Sequence, residues 1–121
     1  MTVQVLQANV LTDGSGDFTI TLPSGGGEVM QVRYVVDGTS PLVTGSDLTI
    51  TETTTGLNVL TMANIGTSSF TRVPRKFVAN PATGVESTTN IDRLAVHRSL
   101  TFTIAQGGAA TVGTFYVYIQ E

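Results

Sequence analysis

The sequence predicts an all-β protein, a two-sheet antiparallel β-sandwich of jelly-roll-like form with about eight strands. Three observations carry that expectation. Apolar residues recur with a period of two, as in Phe18-Thr19-Ile20-Thr21-Leu22, Leu48-Thr49-Ile50-Thr51 and Leu100-Thr101-Phe102-Thr103-Ile104. Clusters of Gly, Pro, Asp and Ser separate these stretches at short intervals. Threonine, a β-branched residue suited to a pleated surface, occurs 21 times.

The first strand spans residues 2–11. Its apolar positions change phase, odd at Val3 and Val5 and even at Ala8 and Val10, which predicts a bulge near Leu6-Gln7. Asp13-Gly14-Ser15-Gly16 turns the chain into a strand over 17–22. Pro23-Ser24-Gly25-Gly26-Gly27 reads as a hairpin turn into a strand over 28–37. Asp37-Gly38-Thr39-Ser40-Pro41 ends that strand, and others follow over 47–52, 57–64 and 69–77. The alternation is then lost, so residues 77–92 are expected to form a long irregular loop, of the kind that is functional or mobile in a compact domain. It resumes over 93–105 and, after Gln106-Gly107-Gly108, over 111–120. Alternation assigns the core to Phe18, Ile20, Leu22, Met30, Val32, Tyr34, Val36, Leu48, Ile50, Leu100, Phe102, Ile104, Phe115, Val117 and Ile119.

A chain of 121 residues forms one domain, 1–121, able to bury roughly 65% of its unfolded surface without covalent staples. There is no cysteine, so disulfides and thiolate-bound zinc are excluded. No apolar run approaches the ~18 residues of a membrane span. Met1-Thr2-Val3-Gln4-Val5 lacks the basic and apolar regions of a signal peptide, which makes synthesis in the cytoplasm the expectation. A net charge of −3 and an isoelectric point near 4.9 argue against binding a phosphate backbone.

Charge is scarce. Only 12% of residues are ionic, against a usual ~25%. Apolar residues make up 40%, mean hydropathy is +0.21, and Lys76 is the single lysine. Free monomers use surface charge for solubility and to guard sheet edges. A low-charge, threonine-faced β domain therefore fits a piece docked into a larger assembly, the alternative being an extracellular domain with an uncharged polar surface.

Chemistry-bearing motifs are few. His97, the sole histidine, has no Gly-x-Ser-x-Gly nucleophile nearby and reads as a strand-surface or interface residue. Asp13-Gly14-Ser15-Gly16-Asp17 has oxygen ligands at alternate positions but Ser24 where a calcium loop needs a carboxylate, so it reads as a turn. Without cysteine, clustered carboxylates or a second histidine, an enzyme is not expected, nor a cofactor or metal. Arg72, Arg75 and Lys76 gather half of the six cations into Arg72-Val73-Pro74-Arg75-Lys76-Phe77. Pro74 places this stretch at a sheet edge or outside a sheet, where it would meet an acidic partner or block edge-to-edge association. Tyr116 and Tyr118 alternate with core positions and so face away from the core as interface anchors, as a second-face core or as a sugar-stacking pair.

Three stretches carry a resemblance. They are Gly16-Asp17-Phe18-Thr19-Ile20-Thr21-Leu22-Pro23 with Gly27-Glu28-Val29-Met30-Gln31-Val32-Arg33-Tyr34, Asn64-Ile65-Gly66-Thr67-Ser68-Ser69-Phe70-Thr71-Arg72, and the ending from Ala105-Gln106-Gly107-Gly108-Ala109 through Thr114-Phe115. Together they resemble small structural proteins of tailed bacteriophages encoded near the major capsid protein, the cement or decoration proteins. The resemblance implies a β-sandwich or jelly roll, often trimeric, on the capsid surface of the virion, with the major capsid protein as partner and no catalytic residue, nucleic acid or membrane contact. The sequence alone supplies the interface candidates: Arg72, Arg75, Lys76, Phe77, Tyr116 and Tyr118, with Asn80, Pro81 and Val85 of the long loop reaching to neighbours. The alternative is a tail or fibre attachment module that binds a host glycan through Tyr116 and Tyr118.

Overall fold

A computed structural model describes residues 2–79, 86–92, 94–96 and 98–121, with 76–79 and 86–92 described by their backbone. Among them are eleven strands and no helix: β1 (Val3–Leu11), β2 (Phe18–Pro23), β3 (Gly27–Val36), β4 (Asp47–Glu52), β5 (Asn58–Met62), β6 (Phe70–Arg72), β7 (Lys76–Ala79), β8 (Glu86–Asp92), β9 (Ala95–Val96), β10 (Ser99–Ala105) and β11 (Val112–Gln120). One sheet has the order β1-β11-β3-β6, with β9 also paired to β3. The second has the order β2-β10-β4-β5, and β7 with β8 forms a separate two-stranded ribbon. All these strand pairs are antiparallel.

The inner faces of the two large sheets share one apolar core. Leu6, Ala8, Val10, Val29, Val32, Tyr34, Phe115, Val117 and Ile119 enter from the first sheet, and Leu48, Ile50, Val59, Leu100, Phe102 and Ile104 from the second. Aromatic rings tie the layers together. Tyr34 stacks on Phe115 at 4.7 Å, and Phe115 meets Phe102 of the opposite sheet at 6.4 Å. The outer face of the second sheet is a threonine surface: Thr19, Thr103, Thr49 and Thr61 lie in one cross-strand row, and Thr21, Thr101 and Thr51 in the next. Thr101 shares hydroxyl hydrogen bonds with Thr21 at 2.9 Å and Thr53 at 2.8 Å. Uncharged hydroxyls thus solvate a sheet face that charged side chains usually cover.

Several expectations require correction. The bulge is absent from β1, whose register with β11 runs unbroken from Val3↔Gln120 to Leu11↔Val112. Val3 and Val5 instead point outward, and Gln4, Leu6, Ala8 and Val10 form the inner line. The bulge lies in β3, where the register shifts between Tyr118↔Gln31 and Ile119↔Val29. Val29 therefore takes the buried position expected of Met30, which is left half-buried. Phe18, Ile20, Leu22 and Val36 pack against the core without full burial, the first three because β2 is an edge strand.

The 23–27 turn is not a hairpin. β2 and β3 belong to different sheets, so this segment crosses between layers. The stretch expected as one strand over 69–77 breaks at Val73-Pro74-Arg75, where proline has no N–H for the ladder. The stretch over 93–105 is two strands, β9 in the first sheet and β10 in the second. The expected irregular loop over 77–92 holds the paired strands β7 and β8, with Lys76↔Asp92 and Phe77↔Ile91 in register. Main-chain pairing does not require the side-chain period that this segment lacks.

Gly27 is fixed by close approach. A Cβ there would fall on the Gln120 carbonyl oxygen and lie 2.9 Å from Ile119 Cγ2, inside the β3–β11 ladder. The carbonyl belongs to a paired backbone and has little room to move. Gly27→Ala is therefore expected to lower stability by about 1–3 kcal/mol, the cost of overpacking. In an open position, the same change would add a few tenths to about 1 kcal/mol. A urea midpoint at or above wild type would contradict this placement.

Candidate functional site

The outer face of the first sheet presents the candidate site. Side chains on β1, β11 and β3 that point away from the core align in rows, Val5–Tyr118–Gln31 and Gln7–Tyr116–Arg33. Both tyrosines are half-buried on this face, as their alternation with Phe115, Val117 and Ile119 requires. The Arg33 guanidinium sits 5.5 Å from the Tyr116 ring centroid, a cation–π pair.

One end of this face is a groove of about 340 Å³ lined by Val3, Met30, Gln31, Val73, Arg75 and Tyr118. The fold builds it from three irregularities. The β3 bulge displaces Met30 from the core and leaves it beside Tyr118. The outward phase of β1 supplies Val3. β6 ends at Arg72, and the residues that flank Pro74, Val73 and Arg75, line the groove. The lining is mostly apolar, with one guanidinium, one amide and the Tyr118 phenol. Such a surface can hold an apolar side chain or short segment and pair an acidic group at its rim.

The sequence-predicted residues divide accordingly. Tyr118 and Arg75 meet in the groove, and Tyr116 lies one row away. Arg72 does not join them; it stands at the β6 edge with its guanidinium 5.1 Å from the Phe70 ring, donating to the Thr71 carbonyl. Arg75 donates to the Pro74 carbonyl at 2.8 Å. Lys76 and Phe77 begin β7, described by its backbone. Asn80, Pro81, Val85 and His97 lie outside the described residues. Of the other lining residues, Met30 is one that periodicity assigns to the core, and Val3 is one that the sequence marks only through the phase change in the first strand.

Two loops resolve other motifs. Asp13 accepts hydrogen bonds from the N–H groups of Ser15 at 2.8 Å and Asp17 at 3.0 Å. The Asp17 N–H, then that of Ser15, holds its carboxyl below the usual carboxylate range. This is an Asx turn. Among the described residues, no three His, Asp or Glu side chains form a metal-binding group.

Glu52, which the sequence reading did not single out, is fully buried at the end of β4. Burial alone would raise its pKa. The Thr55 hydroxyl at 2.7 Å, the Thr55 N–H at 2.7 Å, the Thr54 N–H at 3.3 Å and the Arg98 N–H outweigh burial and lower it from 4.5 to about 2. The carboxylate thus pins the 53–56 turn. Because the folded value lies below the unfolded one, its stabilisation is complete above about pH 4.5 and is lost as pH falls toward 2. Glu52→Gln is expected to be less stable than wild type at pH 6, with the gap closing between pH 4.5 and 2. Parallel melting curves for the two proteins that keep a constant gap across that window would contradict this role.

Compared with known proteins, the chain matches no family model, no curated protein and no solved structure.

Proposed function

We propose that this protein is a structural component of a tailed-bacteriophage virion, a cement protein that docks on the assembled major capsid shell and bridges neighbouring subunits. The observation that carries this reading is the groove between Tyr118, Met30, Val3, Val73 and Arg75, an apolar concavity with a cationic rim on a sheet face of low charge. An aromatic anchor in an apolar pocket with one charged partner is the usual composition of an interface centre. The threonine surface and the scarcity of lysine add to it, because a shell-bound protein does not need charge to remain dispersed.

The strand order supports the same reading. The pairs β1·β11, β2·β10, β3·β6 and β4·β5 nest inside one another, and the nested ribbon folds so that β11 meets β3 and β10 meets β4. That nesting supports a jelly-roll reading of the two-sheet sandwich, an architecture used in viral capsid domains and also in lectins. Fold alone does not assign function, so the groove carries the argument.

The mechanism is mechanical. Many copies on a repeating lattice gain avidity from modest individual contacts. A protein that binds the expanded shell more tightly than its precursor stabilises the expanded state by that difference. The test is co-sedimentation with unexpanded and expanded shells. Saturable binding to expanded shells, with raised shell melting temperature, is expected; equal or absent binding to both would remove the proposal.

The attachment-module reading draws on the same groove, since Tyr118 beside Gln31 and Arg75 is also a composition that stacks on and hydrogen-bonds a sugar. A glycan array separates the two: specific hits abolished by Tyr118→Ala would favour attachment over cement.

A further inference from the structure

We propose that the free edge of β1 pairs with β1 of a second copy, antiparallel, about a two-fold axis through Gln7. Among the described residues, β1 is the last strand of its sheet and pairs with β11 alone. The Glu121 N–H donates to the Thr2 carbonyl at 2.9 Å, and the Thr12 N–H to the Thr111 carbonyl at 3.0 Å. With an unbroken register between them, these bonds fix the phase of the ladder: even-numbered residues exchange main-chain bonds with β11. The N–H and C=O groups of Val3, Val5, Gln7, Asn9 and Leu11 therefore point to the open edge.

Natural sheets guard such an edge with charge, proline, a bulge or brevity. The opposite edge of this sheet does so: β6 has three residues, ends in Arg72 and is followed by Pro74. β1 has nine residues and none of these devices. Its outward side chains include Val3 at 44%, Val5 at 50% and Leu11 at 63% exposure.

The strand is complementary to itself. A two-fold axis at Gln7 sets Val3 against Leu11 of the second copy, Val5 against Asn9 and Gln7 against Gln7. Every outward-bonding residue meets another outward-bonding residue. Five such pairs exchange about ten main-chain hydrogen bonds. The exposed Val3 and Leu11 cover each other at both ends, and no charge faces a like charge. The contact is isologous and closes as a dimer, in place of the trimer implied by the family resemblance. It leaves the Tyr118 groove on the outer face of a sheet continuous across both copies.

Because the chain has no cysteine, one introduced thiol gives a clean test. Residues in a hydrogen-bonded antiparallel pair have Cα atoms about 5.5 Å apart, within disulfide reach. Wild type is expected to sediment at twice 12.7 kDa. Oxidised Gln7→Cys should run as a covalent dimer, while Asn9→Cys, displaced from its symmetry mate along the strand, should not. Gln7→Pro removes an outward N–H but none of the β11 ladder, and should be monomeric with a near-wild-type melting temperature. A wild-type monomer or trimer, or crosslinking of Asn9→Cys as readily as Gln7→Cys, would overturn the proposal. A monomer would leave shell docking untouched, just as failure to bind shells would leave this dimer untouched.

Discussion

Phe115→Ala is expected to destabilise the protein by about 3–5 kcal/mol, the usual cost of truncating a buried phenylalanine. Phe115 is fully buried on β11, the strand that joins β1 to β3. Its ring stacks on Tyr34 at 4.7 Å and meets Phe102 across the layer at 6.4 Å. The resulting cavity would lie against β3, β11 and β10, whose paired backbones limit collapse around it. Such a loss is a large share of the 5–15 kcal/mol that holds a typical domain together. Urea unfolding measures it; a loss below about 1 kcal/mol would mean that the layers do not meet through this ring.

Tyr118→Ala should separate binding from folding. Tyr118 is half-buried, faces away from the core and lines the groove. Truncating an interface anchor of this type commonly costs at least about 2 kcal/mol, or roughly 30-fold in affinity per site. Cross-strand contacts with Val5 and Gln31 limit the folding cost to about 1 kcal/mol. On a lattice the loss compounds through avidity. Under the proposed cement role, shell binding should therefore collapse while the melting curve shifts only slightly. Wild-type shell affinity in this variant would remove the groove from the docking surface.

Much of the fold was legible because strict alternation survives folding. Leu48, Ile50, Leu100, Phe102, Ile104, Phe115, Val117 and Ile119 are buried as their period requires. The misses have local causes. Val3 and Val5 look like core residues, yet an edge strand can leave valines outward. In β3, Val29-Met30-Gln31-Val32 gives an apolar residue at either phase, so the bulge that selects Val29 carries no sequence mark. The crossing between β9 and β10 preserves the buried phase of Leu94, Val96 and Leu100 and contains neither glycine nor proline. Two groove residues, Tyr118 and Arg75, could be found from alternation and the cationic cluster. Met30 could not, because its position depends on that bulge. Glu52 had a faint signal in the following Thr53-Thr54-Thr55-Gly56, whose N–H groups and hydroxyl it binds.

The proposed cement role is tested most directly by a cryo-electron reconstruction of expanded major-capsid shells mixed with the purified protein. The account predicts regular density of this size at local symmetry axes, with the Tyr118–Arg75 groove facing a capsid subunit. A bare shell under saturating protein, or density confined to a tail or fibre, would contradict it.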